Sequence, residues 1–173
     1  MSTLIEELAD RSCKESRVRA VLKRSLAFEP GAYPPAFPYV EHRLKSEDSE
    51  WKRKVYYLVA GLWAMSFRRG IGGVTQSIAD ACRLLYWAND QSPSVERRFI
   101  TLIDSDQQQL PYRLRQLISL LKEYEIDFDI LSKDLLSWNH LDKFIQIRWA
   151  REFYNQAAEK NEEIETTAKE NAQ

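Results

Sequence analysis

The stretch RVRAVLKRSL, residues 17–26, sets Arg17, Arg19, Lys23 and Arg24 beside an apolar helical stripe of Val18, Val21, Leu22 and Leu26. On a helix surface a cation is normally matched by a carboxylate three or four positions away. Here only Arg19 has one, in Glu15. The same test along the chain leaves Arg17, Lys23, Arg24, Arg97, Arg98, Arg113, Arg115, Lys143 and Arg151 without a local partner. Lys54 has Glu50, Arg148 has Glu152, and Arg53 competes with Lys54 for Glu50. Most of the unmatched cations are arginines, whose planar fork suits phosphate better than a point charge does. A single exposed cation is ordinary. Several clusters standing beside well-formed apolar stripes have rigid supports, and that pattern points to sequence-independent contact with a nucleic-acid backbone.

Other chemistries find less support. A zinc site needs three or four converging ligands, usually in closely spaced pairs, and His42, His140, Cys13 and Cys82 offer no such pair. Two histidines and no nucleophile elbow make a poor case for covalent catalysis. GIGGVTQS places glycines before a helix, where N–H groups can meet phosphate, but it lacks the Lys-Ser/Thr and preceding strand of a P-loop. It reads as an interhelix turn. EYEIDFD is rich in carboxylates, which on a solvated face make neither an acid–base pair nor a metal cage. No cofactor is expected. Most of the aromatic residues, Trp63, Trp149 and Tyr57 among them, fall at core positions, whereas Trp51 and Trp87 stand at helix ends where stacking on unpaired bases stays open.

These side chains need a scaffold, and the bulk numbers permit one. A chain of 173 residues with 44% hydrophobic and 12% aromatic content can bury a single-domain core without staples. The two cysteines lie far apart and suit reduced thiols in a cytoplasmic protein. The first ten residues hold three carboxylates and no basic residue, unlike a secretory signal, and the longest apolar run, 55–67, is too short for a membrane span. A formal net charge of −1 conceals segregation: residues 11–69 hold thirteen Lys/Arg against six Asp/Glu, while 1–10 and 159–173 each carry −3. Such asymmetry suits an anionic partner.

Helical periodicity dominates, so the expected fold is all-α, about seven helices in a compact bundle. A first helix runs through about Leu26 and stops before EPGAYPPAFPYV, an irregular loop whose four prolines and glycine forbid regular helix. A second, capped by Asp48 or Ser49, runs to Arg68 as the central buried helix. GIGG at 70–73 ends it, and a third covers about Thr75 to Trp87. Ser92 caps a fourth with Pro93 in its first turn, ending near Ile103. A fifth from about Pro111 buries Leu114, Leu117, Ile118 and Leu121, and Asp127 opens a sixth that ends near Trp138. The last, from about Leu141, turns Leu141, Ile145, Trp149 and Phe153 to one face. The binding unit spans 1–158, with a break at 89–92 that allows two helical subdomains, and 159–173 is an acidic, frayed tail.

LKRSLAFEPGAYPPAFPYV, then EWKRK, SVERRFITLIDSDQQQLPYRLRQLISLLK and DFDILSKDLLSWN together resemble the CasB family, the small subunit of the type I-E CRISPR surveillance complex Cascade. The likeness covers about residues 17–155, and its most specific part is E-R-R, then L-I, a short polar turn and an L-R-x-L-I helix. It implies an all-helical, non-catalytic subunit of antiviral defence, present as a second copy beside the first and contacting the backbone and large subunits. It implies also that the subunit braces guide RNA paired with target DNA and helps hold the displaced strand of the R-loop. Carried over by position, the backbone contacts fall on Lys23, Arg24, Arg53, Arg97, Arg98, Arg115 and Lys143. Ser77 departs from the family, which often has a glycine there. Without the resemblance, the residues alone also admit a helical protein–protein adaptor that binds no nucleic acid, which the near-neutral net charge favours, and, third, a carboxylate-metal hydrolase.

Overall fold

The computed structural model describes residues 3–67 and 75–155. The GIGG turn, the end of the second expected helix at Arg68, the extension to Ala158 and the acidic tail lie outside the described residues. Nine α-helices occupy them: α1 (Leu4–Lys14), α2 (Arg17–Ser25), α3 (Phe37–Val40), α4 (Glu50–Ser66), α5 (Ile78–Ala88), α6 (Pro93–Ile103), α7 (Leu110–Leu120), α8 (Phe128–Leu136) and α9 (Phe144–Phe153). The fold is all-α. No strand is present among the described residues, where an isolated bridge joins Gln76 to Ile126.

Two local events turn seven expected helices into nine. The first helix is broken, because Glu15 takes an extended backbone, φ −138° and ψ 104°, and closes α1. The break lets α1 bury Leu8 and α2 bury Val18 and Leu22 in the same core from different directions. It also removes the helical spacing that would have paired Arg19 with Glu15, and the Arg19 guanidinium lies instead 4.5 Å from the centroid of the Phe67 ring. The second event is in the proline-rich loop. Pro34 and Pro38 sit in the first turns of two short pieces, a 3-10 turn at Pro34–Ala36 and the single-turn α3, where the missing N–H groups leave nothing unpaired. Prolines that forbid a long helix thus start short ones.

Four of the helix caps follow the expected chemistry. Thr3 and Glu6 form a reciprocal capping box, Ser49 accepts from Lys52 N at 3.2 Å, and Asp127 accepts from the amides of Asp129 and Ile130. Ser77 caps α5 through Asp80 N and donates to Glu152 at 2.8 Å, which ties α5 to α9. Ser92 precedes α6 but makes no capping hydrogen bond.

α4 forms the centre, burying Val55, Leu58, Val59, Leu62 and Trp63. α2 lies tightly against it at Gly61, where an added Cβ would stand 2.7 Å from Leu26 Cδ2 and 3.1 Å from Leu22 O. α8 covers another side, and Trp51 Nε1 donates to Leu135 O at 2.8 Å. Trp51 is thereby a packing residue. α9 packs on α5 and α6, with Phe153 stacked on Phe99 at 4.3 Å. It starts three residues later than Leu141, after Lys143 in the left-handed conformation (φ 47°), so Leu141 is 97% exposed rather than on the buried face with Ile145, Trp149 and Phe153. Asp90 and Gln91 are also left-handed and turn the chain from α5 into α6. A single buried cluster draws residues from both sides of that turn. Among the described residues no helix is long and apolar enough to cross a membrane.

Candidate nucleic-acid interface

Basic side chains of this protein divide by what their charge meets inside the chain. Arg43 and His42 converge on Glu7 at 2.6 and 2.8 Å, and these bonds hold the Glu7 carboxyl down at about 2. Lys52 pairs with Asp48 at 2.7 Å, lowering that carboxyl too. Arg148 pairs with buried Asp134, which also accepts from Trp149 Nε1 at 2.8 Å, and lies 3.5 Å from its expected partner Glu152. Each of these side chains meets a carboxylate, Glu7 being shared by Arg43 and His42, and braces the fold.

Arg53 belongs with them. Its Nη1 lies 2.8 Å from Glu41 Oε2 and its Nη2 donates to Lys45 O at 2.7 Å, with Glu50 playing no part. Glu41 accepts from the Tyr57 hydroxyl at 2.6 Å as well, and that bond and Arg53 hold its carboxyl below the usual range. Burial, with the same bond, pushes the Tyr57 phenol up. The guanidinium therefore fastens the segment that follows the proline-rich loop to α4.

The remaining candidates are different. Lys23 and Arg24 stand exposed in the last turn of α2 and meet no carboxylate among the described residues. The negative end of the helix favours cations there, but it leaves their charge open to solvent. Neighbouring Leu22 is fully buried and Ser25 Oγ donates to Leu22 O at 2.6 Å, so the turn that carries them is fixed. Arg115 reaches across from α7 and donates from Nη1 to Leu26 O at 3.1 Å. One nitrogen thus ties α7 to the end of α2, while the exposed side chain meets no carboxylate among the described residues.

On the other side of α7 a second group forms. Arg97, Arg98 and Thr101 of α6 and Arg113, Gln116 and Leu117 of α7 line one notch. Phe99, Leu102, Leu114 and Leu117 beneath it are buried, which anchors both helices. Arg97 and Arg98 are exposed and meet no carboxylate among the described residues. The Arg113 guanidinium lies 5.6 Å from the centroid of the Tyr112 ring, and its buried Nε has no hydrogen-bond partner. Arg113 passed the pairing test as an unmatched cation, but the resemblance did not carry it. Its signal lay in the helical spacing that turns it and Gln116 to the same side.

Lys143 lines neither group; it is exposed at the start of α9. Arg17, Arg151 and Lys54 are exposed and without ion pairs among the described residues, although Lys54 has Glu50 one helical turn away. Trp87 packs edge-on against Tyr86. Among the described residues no group of three His, Cys, Asp or Glu side chains is placed to hold a metal ion. Cys13 and Cys82 are both free thiols, and full burial pushes that of Cys82 up. The arrangement offers cations on three helices, held by a packed core, to a polyanion.

Residues 18–154 match the family described as CRISPR-associated protein Cse2. A CRISPR-associated protein Cse2 of Thermus thermophilus is 44% identical over 151 residues, covering 85% of this chain and 86% of its own. The crystal structure of M. ruber CasB superposes with a TM-score of 0.76 at 33% identity, covering 93% of this chain and 98% of that one. A chain of a CRISPR RNA-guided surveillance complex shares the fold, with a TM-score of 0.78 at 17% identity, over 93% of this chain and 95% of its own. By the extent and identity of these matches, the chain belongs to the Cse2 (CasB) family of CRISPR-associated proteins.

Proposed function

We propose that this chain is the non-catalytic small subunit of a type I-E Cascade surveillance complex in the cytoplasm, gripping nucleic-acid backbone to stabilise guide RNA–target DNA pairing and the displaced strand. The family and the fold shared with a surveillance-complex chain support the setting. One observation carries the mechanism: Lys23, Arg24, Arg97, Arg98 and Arg115 have no carboxylate partner among the described residues, while the cations that brace the fold each do. Such a subunit need not read bases, because guide pairing already supplies sequence specificity. Strand exchange is close to balanced, so a few phosphate contacts along a fixed track tip it toward the open loop. Arg53 serves this track indirectly by holding the segment between α3 and α4, and Lys143 adds a contact apart from the two groups. The binding unit is 1–158, and the acidic tail, 159–173, takes no part in gripping phosphate.

A protein-contacting surface accompanies the basic groups in this reading, which differs from an adaptor that binds no nucleic acid. Leu141, Phe144 and Ile147 are 97%, 44% and 46% exposed at the start of α9, an apolar surface suited to the other Cascade subunits or a second copy of the chain. The test is R-loop formation on a matched duplex by a reconstituted complex with and without this chain. R-loop yield should fall when the chain is omitted and recover when it is restored. Equal yield in both would contradict the proposal.

A further inference from the structure

Beside the Arg115 tether, a cleft runs between the turn after α2 and the head of α7, floored by α4. One part, about 230 Å3, is walled by Phe28, Tyr57, Tyr112, Gln108 and Arg115. A second part, about 380 Å3, shares Pro30, Leu58 and Pro111 with the first and adds Trp51, Lys54 and Gln107. Resting on the phosphate-gripping reading above, we propose that this cleft receives an unpaired nucleobase of the strand whose phosphates the flanking cations hold.

Three observations carry the choice of occupant. The aromatic walls are open but oriented. Tyr112 is 58% and Phe28 46% exposed. Phe28 lies stacked on Tyr33 at 4.7 Å, and the Tyr112 hydroxyl accepts from Gln116 Nε2 at 2.7 Å. A flat ring entering the cleft meets exposed aromatic surface whose side chains are already held in place, and so gains stacking at little ordering cost. The second observation is the polyamide loop SDQQQLP. Asp106 holds the amides of Gln108 and Gln109 at 2.9 Å each, which presents Gln107 and Gln108 at the cleft. A carboxamide offers both donor and acceptor to a base edge, whichever base it is. The third is the placement of charge. Arg115 and the last turn of α2 stand at one end, where the phosphate attached to an inserted base has to lie, and Lys54 stands at the other. Glu29 is the carboxylate in the lining of both parts; it accepts from a base N–H, thymine N3–H included, and repels phosphate from the cleft interior. A paired base cannot turn its faces to these rings, which restricts the occupant to single strand.

The experiment compares two fluorescent oligonucleotides of equal length at low salt with the full chain: oligo-dT, and an abasic strand with the same phosphates. Oligo-dT should bind about tenfold tighter. Tyr112→Ala, at an exposed position, should abolish that ratio without changing the melting temperature, and Tyr112→Trp should keep it. Arg97→Ala with Arg98→Ala should weaken both strands alike and leave the ratio intact. Equal, salt-sensitive binding of the two strands would overturn the base site while the phosphate reading stands. Binding of neither strand would overturn both.

Discussion

Two arginines of the same type have opposite fates in this chain, and the difference is whether a carboxylate waits for them. Arg98 meets none among the described residues, whereas Arg53 is held by Glu41 and by Lys45 O. Replacing Arg24 and Arg98 together by alanine should lower nucleic-acid affinity by about tenfold, the loss of charge-assisted hydrogen bonds. Thermal melting should stay unchanged; if melting falls alongside binding, these arginines are structural. Arg53→Ala should do the reverse, costing about 1 kcal/mol of stability because the pair is only partly screened, with the direct binding change small. Paired denaturation and binding curves on the two variants separate the cases. Much of this division was legible in the sequence, since the unmatched helical cations Lys23, Arg24, Arg97, Arg98 and Arg115, with Arg17 and Arg151, are left open in the fold among the described residues. The Arg53 partner was not legible, because Glu41 lies twelve residues away, beyond the start of α4. A local pairing rule sees only three or four.

Helices place these residues, and a close helix contact sits beneath the basic end of α2. Gly61 lets α4 approach Leu22 and Leu26 so closely that a methyl group would stand 2.7 Å from Leu26 Cδ2. Gly61→Ala gains up to about 1 kcal/mol of helix propensity, yet overpacking should make it a net loss of about 1–2 kcal/mol. Chemical denaturation would measure it, and a stabilised variant would show that the contact yields. Leu26 also carries the carbonyl that receives Arg115, so the same change should loosen the tie between α2 and α7. The periodicity of α7 was fully readable, with Leu114, Leu117, Ile118 and Leu121 all buried. The break between α1 and α2 was hidden because Glu15 and Arg19 have the spacing of a continuous helix, and only packing of the two stripes separates them. Leu141 misled for a related reason: a helical pattern extends past a terminus that the left-handed Lys143 sets.

At the scale of the molecule, the braced and the open cations respond to different solution variables. Glu7 titrates near 2 in the folded chain against about 4.5 when unperturbed, and Glu41 is also lowered. The unfolded chain therefore binds more protons in that interval, and stability from these pairs is complete above about pH 4.5 and lost as pH falls toward 2. Glu7→Gln should flatten the acid limb of a melting-temperature profile between those values; an unchanged profile would show that Arg43 and His42 do not set the acid sensitivity. The open cations answer to salt, because each phosphate they neutralise releases counterions. The most direct measurement is the salt dependence of single-stranded DNA binding by the full chain. With five contacts the logarithm of affinity should fall against the logarithm of salt with a slope of about −3.5, and Arg97→Ala with Arg98→Ala should make it shallower by about 1.4. An affinity indifferent to salt, or a slope that the double variant leaves untouched, would contradict the view that these unpaired charges grip phosphate.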